Sequence, residues 1–210
     1  MTSELDDYIA AHTSEEPRLL RDLYRATYLE RLYPRMCSGH VQGRILAMLS
    51  QMIRPRRVLE LGTFTGYSAL CLAEGLADDG QLHTVEIDDE AEGFIRRWFD
   101  RSEHGSRITL HIGDALEVVP GLGEEWDLVY IDANKRIYRQ YLDMVLPMMR
   151  KGGFIIADNT LWDGKVTDQS ATDAQTRGIR DFNDYVTSHP RLESVILPLR
   201  DGLTLLRVKS

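Results

Sequence analysis

The chain has 210 residues and a formal net charge of −8, a length that one domain spans with enough apolar content to bury a sizeable core. That acidity argues against a surface basic throughout, so a nucleic-acid backbone is not the first expected partner. Two cysteines, Cys37 and Cys71, show no metal-type or redox-type pairing, and neither a cationic apolar leader nor a run near the roughly 20 apolar residues of a membrane span is present, so a cytoplasmic protein without membrane contact is expected.

A single domain over 1–210 is expected, with a helical segment over 1–54 ahead of an α/β core over 55–210. Leu19, Leu20, Leu23, Ala26 and Tyr28 recur near helical spacing, as do Val41, Ile45, Leu46 and Leu49. Tyr33-Pro34 marks a break between them. Nine arginines between Pro17 and Arg57 face only Asp22 and Glu30, which reads as a solvated helix face or a subunit interface. After Pro55 the pattern predicts strands at Val58–Leu61, Leu82–Ile87, Ile108–Ile112, Leu128–Asp132 and Phe154–Ala157, each followed by a helical stretch. Such alternation makes a parallel sheet with helices on both faces. Ser194–Leu199 and Leu203–Val208, joined by Asp201-Gly202, predict an antiparallel hairpin at the end of the sheet.

Ligands of open α/β sheets bind beyond the carboxyl ends of the strands. The first exit reads Glu60-Leu61-Gly62-Thr63-Phe64-Thr65-Gly66-Tyr67-Ser68. Gly62 and Gly66 remove side chains where the backbone must turn tightly and a ligand must come close. Their spacing departs from the G-x-G-x-x-G of dinucleotide sites, which disfavours NAD. Glu86, at the second exit, is placed to accept both hydroxyls of a ribose. At the third, Gly113-Asp114-Ala115 puts Asp114 either beside an adenine amino group or at a helix N-cap. Together the three exits favour S-adenosylmethionine. The fourth and fifth exits carry Asp132-Ala133-Asn134-Lys135 and Asp158-Asn159.

These segments together resemble the cation-dependent O-methyltransferases that include the catechol and caffeoyl-CoA enzymes, over nearly the whole chain from about Met36 onward. The resemblance implies a Rossmann-like sheet of seven strands with the last antiparallel. It also implies that Met36 lies near the cofactor sulfonium, that Gln42-Gly43 matches the family's Gln-Gly, and that cofactor contacts fall on Glu60, Gly62, Thr63, Phe64, Gly66, Ser68, Glu86, Asp114, Ala115 and Asp132.

Asp132, Asp158 and Asn159 offer two carboxylates and an amide oxygen at one edge, a donor set that suits Mg²⁺, with Ca²⁺ or Mn²⁺ as substitutes. A cation there stabilises the oxyanion of a phenol, whose ordinary pKa is about 10. Lys135 is placed to take the proton and, by resemblance, occupies the catalytic lysine position. Arg136 and Tyr138 either support the site or serve as a surface charge and a packing aromatic. Trp162 either lines the acceptor pocket or packs on the core. The six histidines show no ligand spacing. A small phenolic acceptor of catechol or hydroxycinnamoyl type is expected, in a homodimer as in related enzymes. The alternative is a tRNA hydroxyuridine, with the arginine-rich segment gripping phosphates.

Overall fold

A computed structural model describes residues 3–209. Three helices open the chain: α1 (Ser3–Ala11), α2 (Arg18–Glu30) and α3 (Gly39–Ile53). Between α2 and α3 the chain breaks where Tyr33 takes φ 53° ahead of a short 3-10 turn over Pro34–Met36; Pro34 disfavours the right-handed helical region at the residue before it. Alternation then begins with β1 (Arg57–Leu61), α4 (Tyr67–Ala73), β2 (Gln81–Glu86), α5 (Glu92–Phe99), β3 (Ile108–Ile112) and α6 (Ala115–Val118). It continues through β4 (Trp126–Ile131), α7 (Tyr138–Val145), β5 (Met149–Asp158), α8 (Ala174–Ser188), β6 (Leu192–Leu197) and β7 (Leu203–Val208).

The seven strands form one sheet in the order β3-β2-β1-β4-β5-β7-β6. The first five are parallel, whereas β7 runs antiparallel to both β5 and β6. The central strands are buried nearly throughout, as a sheet covered on both faces requires. Leu46, Leu70, Leu72 and Ile95 pack α3, α4 and α5 on one face, and Leu142, Val145, Ile179 and Phe182 pack α7 and α8 on the other.

The expected fold is therefore present, with boundaries moved by local contacts. Ile87 lies outside β2 and is exposed. Strand β5 begins five residues before Phe154, since Met149 pairs with Trp126 across an irregularity in the register. Strand β6 starts at Leu192, which is buried and opposite Val208, rather than at Ser194. No helix among the described residues is long and apolar enough to cross a membrane.

Candidate functional site

The carboxyl ends of β1, β2, β3, β4 and β5 open into a cavity of about 1330 Å³, closed from above by the end of α2 and the 3-10 turn. Single-ligand pockets occupy about 300–1,000 Å³, so this volume has room for two reactants side by side. Met36, Gly62, Phe64, Glu86, Asp114, Ala115, Asp132, Lys135, Asp158 and Asn159 all line it. Among the described residues seven non-glycine positions take positive φ, and five of them, Tyr33, Phe64, Asn159, Trp162 and Arg200, line the same cavity. Strained backbone concentrates where function fixes geometry.

At one end, backbone N–H groups hold the acids. Glu86 Oε2 accepts from the Phe64 N–H at 2.7 Å and Oε1 from the Asp88 N–H at 2.9 Å. That arrangement sets the carboxylate's orientation and leaves each oxygen a free lone pair for a diol. Asp114 is the N-cap of α6, its Oδ1 accepting from the Leu116 N–H at 2.9 Å, and the residue also lines the cavity.

Glu60, Thr63, Gly66 and Ser68 do not line the cavity wall. Glu60 is fully buried and accepts from the Thr84 hydroxyl at 2.5 Å, and Thr84 in turn meets the Thr63 hydroxyl at 2.5 Å. Burial pushes the Glu60 carboxyl up to about 8. The glycines answer first to packing. A Cβ on Gly62, at φ 93°, would meet the Asp132 carbonyl oxygen at 2.2 Å, and one on Gly66, at φ 85°, would meet the Phe99 ring at 2.5 Å. Close approach of the Asp132 backbone just beyond β4 and of the Phe99 ring therefore leaves no room for a side chain at either position.

At the other end the groups come from distant parts of the chain. Asp158 is 4% exposed, and its Oδ1 accepts from the Asn159 N–H at 2.8 Å. Its Oδ2 accepts from Gln42 Nε2 at 2.6 Å and from the Tyr130 hydroxyl at 3.0 Å. Arg200, in the turn between β6 and β7, donates to Gln42 Oε1 at 3.0 Å and so orients the amide. Burial and the neighbouring Asp132 raise the Asp158 pKa. Lys135 Nζ lies 2.5 Å from Asp132 Oδ1. Burial by itself would lower the lysine pKa, but the Asp132 carboxylate outweighs it, and Lys135 is held as an ammonium. The Asn159 side-chain amide makes no hydrogen bond to described residues, and no third acid or histidine joins the two carboxylates among them.

Of the side chains read two ways, Tyr138 is buried, its hydroxyl donating toward the Ile131 and Asp158 carbonyls and its ring packing edge-on against Phe182, with Lys135 Nζ 5.2 Å from the ring centroid. Trp162 lines the cavity at φ 48°. Tyr130 and Arg200 were not anticipated. Tyr130 looked like one apolar position of a buried strand, and Arg200 like part of a hairpin turn; no local pattern marks either. Six arginines of the 17–57 stretch are ion-paired, Arg18 with Asp22, Arg21 with Glu15, Arg31 with Asp88, Arg44 with Glu74, Arg56 with Asp79 and Arg57 with Glu124. The positive stretch is thus largely neutralised, five of the six pairs using acids from outside it.

Similarity to known proteins agrees with this geometry. Residues 10–209 match the family described as O-methyltransferase. The chain is 34% identical over 177 residues to the catechol O-methyltransferase of Niastella koreensis, covering 80% of each chain. To the caffeoyl-CoA O-methyltransferase of Petroselinum crispum it is 31% identical, covering 91% of this chain and 84% of that one. The O-methyltransferase TomG of Streptomyces achromogenes, involved in tomaymycin synthesis and solved with S-adenosylmethionine, superposes over 100% of both chains with a TM-score of 0.91 at 27% identity. With a sheet that matches throughout and a family match over nearly its whole length, the chain belongs to the O-methyltransferase family.

Proposed function

We propose that the protein transfers a methyl group from S-adenosylmethionine to a phenolic hydroxyl of a small catechol- or hydroxycinnamoyl-type acceptor, with a divalent cation held by Asp132, Asp158 and Asn159. The observation that carries this reading is one cavity, large enough for two reactants, with a backbone-pinned acid at one end and, at the other, the buried carboxylate of Asp158 repelled by that of the half-buried Asp132.

Glu86 binds the ribose hydroxyls and Asp114 the adenine edge, with Ala115 beside it. Gly62 and Phe64 shape the floor between them, and Met36 closes the lid near the methyl group. This fixes the donor and leaves the Asp132–Asp158 end for the acceptor. Hard oxygen donors and an excess of negative charge over the single Lys135 ammonium suit Mg²⁺, with Ca²⁺ or Mn²⁺ as substitutes. When bound, the cation would balance both carboxylates and favour the ionised acceptor hydroxyl. Gln42, Tyr130 and Arg200 hold Asp158 in place for that role. With the charge of Asp132 shared, the Lys135 ammonium would release a proton to solvent, and the neutral Nζ would then take the proton of the acceptor hydroxyl. Much of the acceleration then comes from holding oxygen, methyl carbon and sulfur in line.

The test is transfer of labelled methyl from S-adenosylmethionine to caffeate with Mg²⁺ and again with a chelator. Activity abolished by the chelator is expected. Chelator-resistant activity would refute the cation, and no activity would remove the phenolic acceptor and bring tRNA forward. Pairing of most arginines in the 17–57 stretch weighs against a phosphate-gripping surface.

A further inference from the structure

Arg200 stands at φ 48°, in the left-handed region that favours glycine, yet the position carries a long cation. Its Nη1 donates to Gln42 Oε1 at 3.0 Å, to the Cys37 carbonyl at 3.4 Å and to the Ser38 carbonyl. All three bonds use one nitrogen. Nε and Nη2 bond to nothing among the described residues, and the exposed side chain lines the cavity. Arg35, two residues before Cys37, lines the same cavity and is also without an ion pair among the described residues. Other cations of the wall are engaged: Arg31 pairs with Asp88 at 3.0 Å and Lys135 with Asp132 at 2.5 Å.

A guanidinium anchored through one nitrogen presents its remaining N–H groups in a fixed fork, and a fork of that shape matches a planar carboxylate. Positioning of Gln42 explains Nη1 but leaves the other edge without a partner. We propose that Arg200, with Arg35 as a second cation on the same rim, selects acceptors that carry a carboxylate away from the hydroxyl that is methylated. This rests on the phenolic reading above and narrows its substrate class. A neutral catechol leaves the fork unpaired, and a cationic one is repelled.

The test compares kcat/KM for 3,4-dihydroxybenzoate and for catechol on the intact protein with S-adenosylmethionine and Mg²⁺. Both compounds are also titrated calorimetrically into the protein with S-adenosylhomocysteine, a readout that needs no turnover. A charge-assisted bond predicts a preference for the carboxylate of about tenfold or more, mostly in KM. Arg200→Gly, which suits the backbone at this φ, should lose about tenfold of that ratio, and Arg35→Gln, which leaves the Nη1 bonds untouched, a smaller part. Equal kcat/KM for the two acceptors, or a preference that survives both substitutions, overturns the assignment while leaving the phenolic reading intact. If neither compound is methylated, the phenolic reading fails instead, and the titration decides the carboxylate site: tighter binding of the benzoate that Arg200→Gly abolishes supports it, and equal binding overturns it.

Discussion

Two ends of one cavity fix their acidic groups by different means. At the β2 and β3 exits, Glu86 and Asp114 are held by backbone N–H groups, those of Asp88 and Leu116 two residues away and that of Phe64 22 residues away. At the β5 exit, the buried carboxylate of Asp158 is held by Gln42, 116 residues distant, by Tyr130, 28 residues distant, and through Gln42 by Arg200. Backbone donors keep an acid in place whatever the neighbouring side chains are, so the cofactor end should yield to single substitutions gradually. Side-chain donors form a network in which each member leaves another unsatisfied when removed, so the acceptor end should fail abruptly.

The sharpest way to break this contrast is Lys135→Ala. Loss of the proton acceptor beside Asp132 is expected to lower kcat by about 100- to 10,000-fold while S-adenosylmethionine affinity, read by calorimetry, stays within a few-fold. Retained kcat would remove Lys135 from the reaction. Glu86→Gln comes next: an amide nitrogen must then face a backbone N–H, and loss of a charged acceptor worth about 1.5–3 kcal/mol should weaken cofactor binding by about tenfold or more with the fold unchanged. Unaltered binding would mean that Glu86 does not meet the ribose.

Gln42→Leu tests the network itself. It strips one donor from buried Asp158 and the acceptor from Arg200, and is expected to cost about 1–3 kcal/mol in denaturant unfolding, with a weaker response of activity to Mg²⁺. A stable variant with unchanged Mg²⁺ dependence would show that Asp158 needs no such support. The smallest effect concerns Glu60, behind the cofactor end. Its carboxyl is raised from 4.5 to about 8 by burial, so the protonated form stabilises the fold fully below the unfolded pKa, and that contribution is lost as pH rises through the folded one. Glu60→Gln should therefore flatten the fall in Tm between about pH 5 and 9, measured without cofactor. A Tm profile parallel to the parent's would place the titration elsewhere.

The same contrast explains what could be read early. Glu86, Asp114 and the Asp132, Lys135, Asp158 and Asn159 set were visible because strand exits are marked by local pattern, and the alternation of strands and helices carried the sheet with them. Tyr130 and Arg200 were invisible because the function of each depends on a partner far along the chain. Gln42 entered through resemblance alone. Glu60, Thr63, Gly66 and Ser68 share a motif with Gly62 and Phe64, yet only the latter two reach the cavity wall, since the turn after β1 sends alternate residues into the core.

By itself, then, the amino-acid sequence determined the order of elements, the parallel sheet with its antiparallel end and the acids at the strand exits, because hydrophobic period and turn chemistry act over a few residues. Tertiary structure decided which of those acids face the cavity, how Asp158 is satisfied, that Lys135 is held as an ammonium by Asp132, and that most of the arginine stretch is neutralised while Arg35 and Arg200 face the cavity without a pairing acid among the described residues. Charge balance and burial depend on what the whole fold brings within a few ångströms, and no local pattern encodes that.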